Sequence, residues 1–84
     1  MYFVYILKCG DGSLYTGSTN DLQKRIARHE KGQGGRYTRS KTSVALAYSE
    51  KALNRSTALK REAEIKGWTR QKKLNLIQFG KPVG

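Results

Sequence analysis

Three observations predict a small α+β fold for this chain of 84 residues. A β-branched and aromatic run at the start is closed by a glycine-rich turn, apolar residues recur at helical spacing in later segments, and those segments lie between capping residues and glycines. The length suits one domain, 1–84, with its core at about residues 1–68 and a basic C-terminal helix and tail at 69–84. The predicted order is β-β-α-β-α-α, a small three-stranded antiparallel sheet flanked by helices.

The first strand is YFVYILK, residues 2–8, closed by Gly10-Asp11-Gly12. SLYTG returns as the second strand of a hairpin and ends at Gly17. Ser18, Thr19 or Asn20 is expected to cap a first helix, DLQKRIARHEK, that carries Asp21 in its first turn and stops at Gly32. GQGGRYTRSK follows without apolar periodicity and reads as a basic loop, either a close approach for phosphates or an ordinary connector. In SVALAYS, Val44, Leu46 and Tyr48 alternate with small or polar residues, as a strand with one covered face requires. Ser56 or a near neighbour caps the second helix, which Gly67 ends, and Thr69 caps the last one, RQKKLNLIQF.

Composition limits the function classes. Seventeen basic against six acidic residues leave a net charge of +11, and so large an excess in a small domain calls for an anionic partner. Nucleic acid is the default, against a plain basic or RNA-associated structural protein. No segment pairs a basic face with exposed large apolar residues, so no membrane partner is expected. Cys9 is the sole cysteine, which rules out an internal disulfide and a cysteine-held zinc. No signal peptide or spanning run is evident, and the expected location is the cytoplasm, in association with the nucleoid.

Few residues could do chemistry. His29 is the only histidine, and the carboxylates Asp11, Asp21, Glu62 and Glu64 are too few for a two-metal site. Tyr5 and Tyr15 lie on adjacent strands and either share a site or are core rings with wet tips. Arg25 and His29 are spaced i, i+4 beside the apolar stripe of Leu22 and Ile26, at the edge of a cleft. In ALKREAEIK, Ala58, Leu59, Glu62, Ala63 and Ile65 share one arc of about 160°, while Glu64 points the other way. A carboxylate among core residues must be paired, protonated or bound to a metal.

VYIL around Tyr5, YTG at Tyr15 to Gly17, DLQKRIARH with Arg25 and His29, and ALKREAEIK with Glu62 together resemble the GIY-YIG nuclease superfamily. The likeness runs from Met1 to about Trp68 and is strongest to small stand-alone bacterial members and to the nuclease domain of structure-specific endonucleases. The first signature reads Phe3-Val4-Tyr5 and the second Tyr15-Thr16-Gly17, so only the tyrosines and the glycine of the motif's name survive. Some members carry a functional asparagine after the glutamate, and the role of Asn75 is left open.

The resemblance implies a metal-dependent endonuclease that hydrolyses phosphodiester bonds in DNA, selecting by shape rather than sequence, with DNA repair as its setting. Glu62 would ligate one Mg²⁺ or Mn²⁺ ion that keeps several of its waters. Tyr5 and Tyr15 would position and deprotonate the attacking water, with His29 assisting as base or polarising a hydroxyl. A phenol with an ordinary pKa of about 10 needs nearby positive charge for that role. Arg25 would supply it and stabilise charge on the phosphoryl oxygens. Lys24, Arg36, Arg39, Lys41, Lys72 and Lys73 are read as phosphate contacts on branched or flapped DNA, with RNA a second candidate substrate and a protein partner a source of targeting. The alternative is a non-catalytic nucleic-acid-binding module on the same fold.

Overall fold

The computed structural model describes residues 1–30 and 44–80, and the backbone alone for His29 and Glu30. The elements are β1 (Tyr2–Cys9), β2 (Leu14–Thr19), α1 (Leu22–Glu30), β3 (Val44–Ala52), α2 (Arg55–Lys66) and α3 (Arg70–Phe79). The sheet order is β2-β1-β3 with both pairs antiparallel, so the most apolar segment of the chain is the central strand. It is covered on both sides, which is why it reads as a continuous hydrophobic run rather than an alternating one. Val4 and Ile6 point to one face and Tyr5 and Leu7 to the other, and none of the four exceeds 1% exposure. On the first face α2 and α3 add Ala58, Ile65 and Leu76 to Val4, Ile6 and Ala52 to make the core.

The hairpin turn places Gly12 at φ +88°, a conformation that favours glycine. Asp11 Oδ1 fastens the turn by accepting from the Ser13 amide at 3.0 Å and its hydroxyl at 2.6 Å. β2 then runs two residues beyond Gly17, which changes the expected cap of α1. Ser18 and Thr19 are strand residues, and Asp21 is the cap, accepting from the Lys24 amide at 3.1 Å through Oδ1 and from the Arg25 amide at 3.1 Å through its carbonyl. Asn54 caps α2 by accepting from the Thr57 amide at 2.9 Å, and Thr69 caps α3 as expected, accepting from the Lys72 amide at 3.2 Å. Gly67 ends α2.

The third strand departs from simple alternation. Tyr48 opposes Ile6 while Leu46 opposes Leu7, so one residue of β3 is extra at that point and the strand bulges. The slip sends Leu46 and Tyr48 to opposite faces: Tyr48 packs at the rim of the core and Leu46 is 42% exposed. Beyond the bulge, Glu50 accepts from Tyr48 Oη at 2.8 Å and from Arg61 Nε at 3.0 Å. The Arg61 guanidinium in turn lies 5.1 Å from the Trp68 ring centroid, and Lys72 Nζ lies 4.6 Å from it. This chain of contacts ties β3, α2 and α3 together along the edge opposite β2. The basic loop with Arg36, Arg39 and Lys41, and the end of α1 expected at Gly32, lie outside the described residues.

Candidate active site

The site begins with a missing side chain. Gly17 is the cross-strand partner of Tyr5, and a Cβ built there would lie 2.5 Å from Tyr5 Oη and 3.3 Å from Tyr15 Cε1. The glycine therefore lets both rings converge over the backbone of β2, with centroids 6.4 Å apart and planes at 43°. The two tyrosines share one face of the sheet, the condition on which a common site depends.

Glu62 reaches the same edge strand from α2. Its Oε1 accepts from Ser18 Oγ at 2.5 Å and its Oε2 pairs with Lys66 Nζ at 2.8 Å. The Glu62 side chain is 17% exposed, whereas that of Glu64 is 55% exposed and pairs with Arg61 at 2.6 Å. The helix wheel thus distinguishes the two glutamates correctly. It assigns too wide an arc to the interior, because Leu59 and Ala63 are exposed and only Ala58 and Ile65 of α2 are fully buried.

Arg25 stands in the first turn of α1, immediately after the Asp21 cap. Tyr5 registers the whole group electrostatically. Burial pushes its hydroxyl well above the ordinary phenol value, Tyr15 and Glu62 add to the rise, and the positive charge of Arg25 opposes it. Burial outweighs the arginine, so Tyr5 holds its proton at neutral pH and offers a hydrogen-bond donor. Lys66 is held protonated above its usual range, chiefly by its bond to Glu62.

Two surface grooves meet at Arg25. One is lined by Thr19, Asn20, Asp21, Lys24, Arg25 and Arg28, and the other includes Tyr2, Ser18, Asn20, Arg25, Arg55 and Leu59. Tyr5 and Tyr15 thus meet over Gly17, Glu62 joins β2 through Ser18, and Arg25 lines both grooves with Lys24 in one of them; neither groove is lined by Tyr5, Tyr15 or Glu62. Lys72 and Lys73 lie on α3 and line neither groove, and Asn75 accepts from Gln71 on that helix at 3.1 Å. The side chain of His29 and residues Arg36, Arg39 and Lys41 fall outside the described set.

Sequence reasoning missed Ser18, Arg28, Arg55 and Lys66. Lys66 was legible as the i+4 neighbour of Glu62, and Arg28 as the i+3 neighbour of Arg25. Ser18 needed the true length of β2, and Arg55 needed the tertiary fold.

Residues 1–75 match the GIY-YIG catalytic domain. The chain belongs to the GIY-YIG family. It is 54% identical over 77 residues to a UPF0213 protein of Staphylococcus aureus, spanning 92% of this chain and 94% of the relative. A UPF0213 protein of Staphylococcus saprophyticus is 53% identical over 94% of this chain and 96% of its own length. The solution NMR structure of a UPF0213 protein from Bacillus halodurans superposes with a TM-score of 0.59 at 39% identity, covering 93% of this chain and 84% of that one. The GIY-YIG domain is of nuclease type, its nucleases generally use divalent metals, and a nucleic-acid substrate goes with it. Among the described residues no helix is long and apolar enough to cross a membrane.

Proposed function

We propose that this GIY-YIG protein is a divalent-metal-dependent endonuclease that hydrolyses phosphodiester bonds in DNA and selects its substrate by shape. The observation that carries the reading is the meeting of two tyrosines over Gly17, where a Cβ would obstruct them, with Arg25 and the partly buried Glu62 close enough for their charges to act on the Tyr5 hydroxyl. A binding module has no use for that arrangement, since phosphate contacts need only exposed cations.

The donor set at Glu62 fits a metal. Among the described residues no cluster of three or more ligating side chains exists, so any ion here rests on one carboxylate and its own waters, which suits Mg²⁺ or Mn²⁺. The carboxylate already holds a cation, the Lys66 ammonium, whose side chain is 53% exposed. A bound metal supplies positive charge to the phosphoryl group and leaving oxygen.

The remaining work falls to this chain. Arg25 binds the non-bridging oxygens of the scissile phosphate and neutralises charge that grows on them. Tyr5, kept protonated by burial, donates a hydrogen bond that positions the attacking water or the phosphate. Tyr15 closes the other side of the same position. Proton acceptance is assigned to His29, the i+4 neighbour of Arg25, because imidazole with an ordinary pKa of about 6.5 exchanges protons at neutral pH as a buried phenol does not.

A cleavage assay on linear, flapped and branched DNA, with and without chelator, tests the reading. Glu62→Gln should abolish metal-dependent cleavage and leave DNA binding nearly unchanged, while Glu64→Gln should change neither. Equal cleavage by parent and Glu62→Gln would return the site to a structural ion pair.

A further inference from the structure

We propose that the groove between Arg25 and Arg55 is a subsite for an unpaired nucleotide next to the scissile phosphate. This rests on the nuclease reading above and names its substrate class: a strand that is single-stranded on the Arg55 side of the cut.

The groove opens directly beside the Ser18 hydroxyl that holds Glu62, so whatever fills it lies adjacent to the reacting phosphate. Its cationic walls are Arg25 from α1 and Arg55 at the first position of α2, and it contains no carboxylate. Two guanidinium forks facing one groove suit a phosphate, which accepts paired N–H bonds. Ser18, Thr19 and Asn20 add polar lining from the end of β2, and Tyr2 and Leu59 add aromatic and apolar surface. Leu59 is 47% exposed, and the same end of the sheet carries Met1 at 72% and Leu53 at 87% exposure. A track for duplex backbone gains nothing from these side chains, because base faces are hidden in the stack and sugars and phosphates meet the protein. An unpaired base has exposed faces, and aromatic and apolar walls beside arginines are what single-strand sites use.

The neighbouring groove supplies the contrast. It shares Thr19, Asn20 and Arg25 but is otherwise lined by Asp21, Lys24 and Arg28, with no large apolar side chain. Arg25 thus divides a polar, basic track suited to backbone alone from one that also offers a surface for a base. The strand is read asymmetrically about the cut.

Binding without metal isolates the subsite from the chemistry. Fluorescence anisotropy in chelator would compare a labelled single-stranded oligothymidine with a blunt duplex of equal phosphate number, using the full chain. Leu59→Ala and Tyr2→Ala should weaken single-strand binding by about five-fold or more, with duplex binding changed less than two-fold. Leu59 is exposed, so its variant remains informative should Tyr2→Ala disturb the core rim. Arg55→Ala should weaken single-strand binding and reduce the slope of log K against log salt by about 0.7, while Arg70→Ala, which lines neither groove, should leave the preference for single strands intact. Equal loss on both probes, or no loss in either apolar variant, would overturn the subsite. That result would be distinct from failure of the nuclease reading, which is an absence of metal-dependent cleavage by the parent.

Discussion

At Thr16 the second signature carries a hydroxyl into an apolar position. The residue lies on β2 opposite Ile6, is 3% exposed, and its Oγ1 finds no hydrogen-bond partner among the described residues. A buried hydroxyl without a partner costs about 1–3 kcal/mol. Thr16→Val, which replaces that hydroxyl with a methyl of similar shape, should therefore stabilise the fold by about 1 kcal/mol, or roughly 4–8 °C in Tm. Thermal denaturation followed by circular dichroism would measure it, and a lower Tm would mean that Thr16 has a partner in the working protein. Its neighbour Gly17 shows what sequence could and could not convey. It reads from sequence as the end of a strand, yet it lies within one, and its function is to make room for Tyr5. No local rule distinguishes a glycine that ends an element from one that clears space for a cross-strand side chain twelve residues earlier in sequence.

On α2 the sequence reading was right about direction and silent about company. Spacing alone put Glu62 toward the sheet and Glu64 toward solvent, because both lie on a regular helix. Its partners were another matter: Ser18 comes from a strand 44 residues earlier, where β2 outruns its expected end. The bulge in β3 was hidden for a similar reason, since a one-residue slip is set by pairing with β1 and leaves no composition signal. The i, i+4 pair of Glu62 and Lys66 has a consequence of its own. If Glu62 takes a divalent ion, the Lys66 ammonium competes for the same Oε2. Lys66→Met, which keeps an unbranched side chain one atom shorter and without the charge, should tighten Mn²⁺ binding by several-fold, measured by the fraction of free Mn²⁺ in electron paramagnetic resonance. The stability cost should be small, because an i, i+4 pair whose lysine is half-exposed contributes about 0.5 kcal/mol and Glu62 keeps its bond from Ser18. Unchanged Mn²⁺ affinity would show that Lys66 and the metal do not share Glu62.

For the molecule as a whole, glycines, caps and the change from strand to helix periodicity made the order of elements readable, and the long-range pairing of β1 with β3 completed the sheet. The same assembly fixes how stability responds to alkali. Tyr48, desolvated at the core rim and donating to Glu50, has its hydroxyl pushed up to about 12, and burial raises Tyr5 further in the same direction. A phenol whose pKa is raised on folding binds its proton more tightly in the folded chain than in the unfolded one. Its stabilisation is complete below the ordinary value of about 10 and is lost as pH rises toward the folded value. Lys66, also raised, loses its contribution in the same direction once its ammonium deprotonates above the usual lysine range. These three groups therefore add no slope between pH 7 and 9, and all three lower the Tm between about pH 10 and 12. Tyr48→Phe should melt somewhat below the parent at pH 8, where the bond to Glu50 is lost, and approach the parent as pH nears 12, where the parent's phenol ionises. Tyr5→Phe should narrow the same gap. Melting curves of parent and variants at unit pH steps would decide: a constant offset through pH 12 for both variants would show that neither phenol is held protonated by the fold.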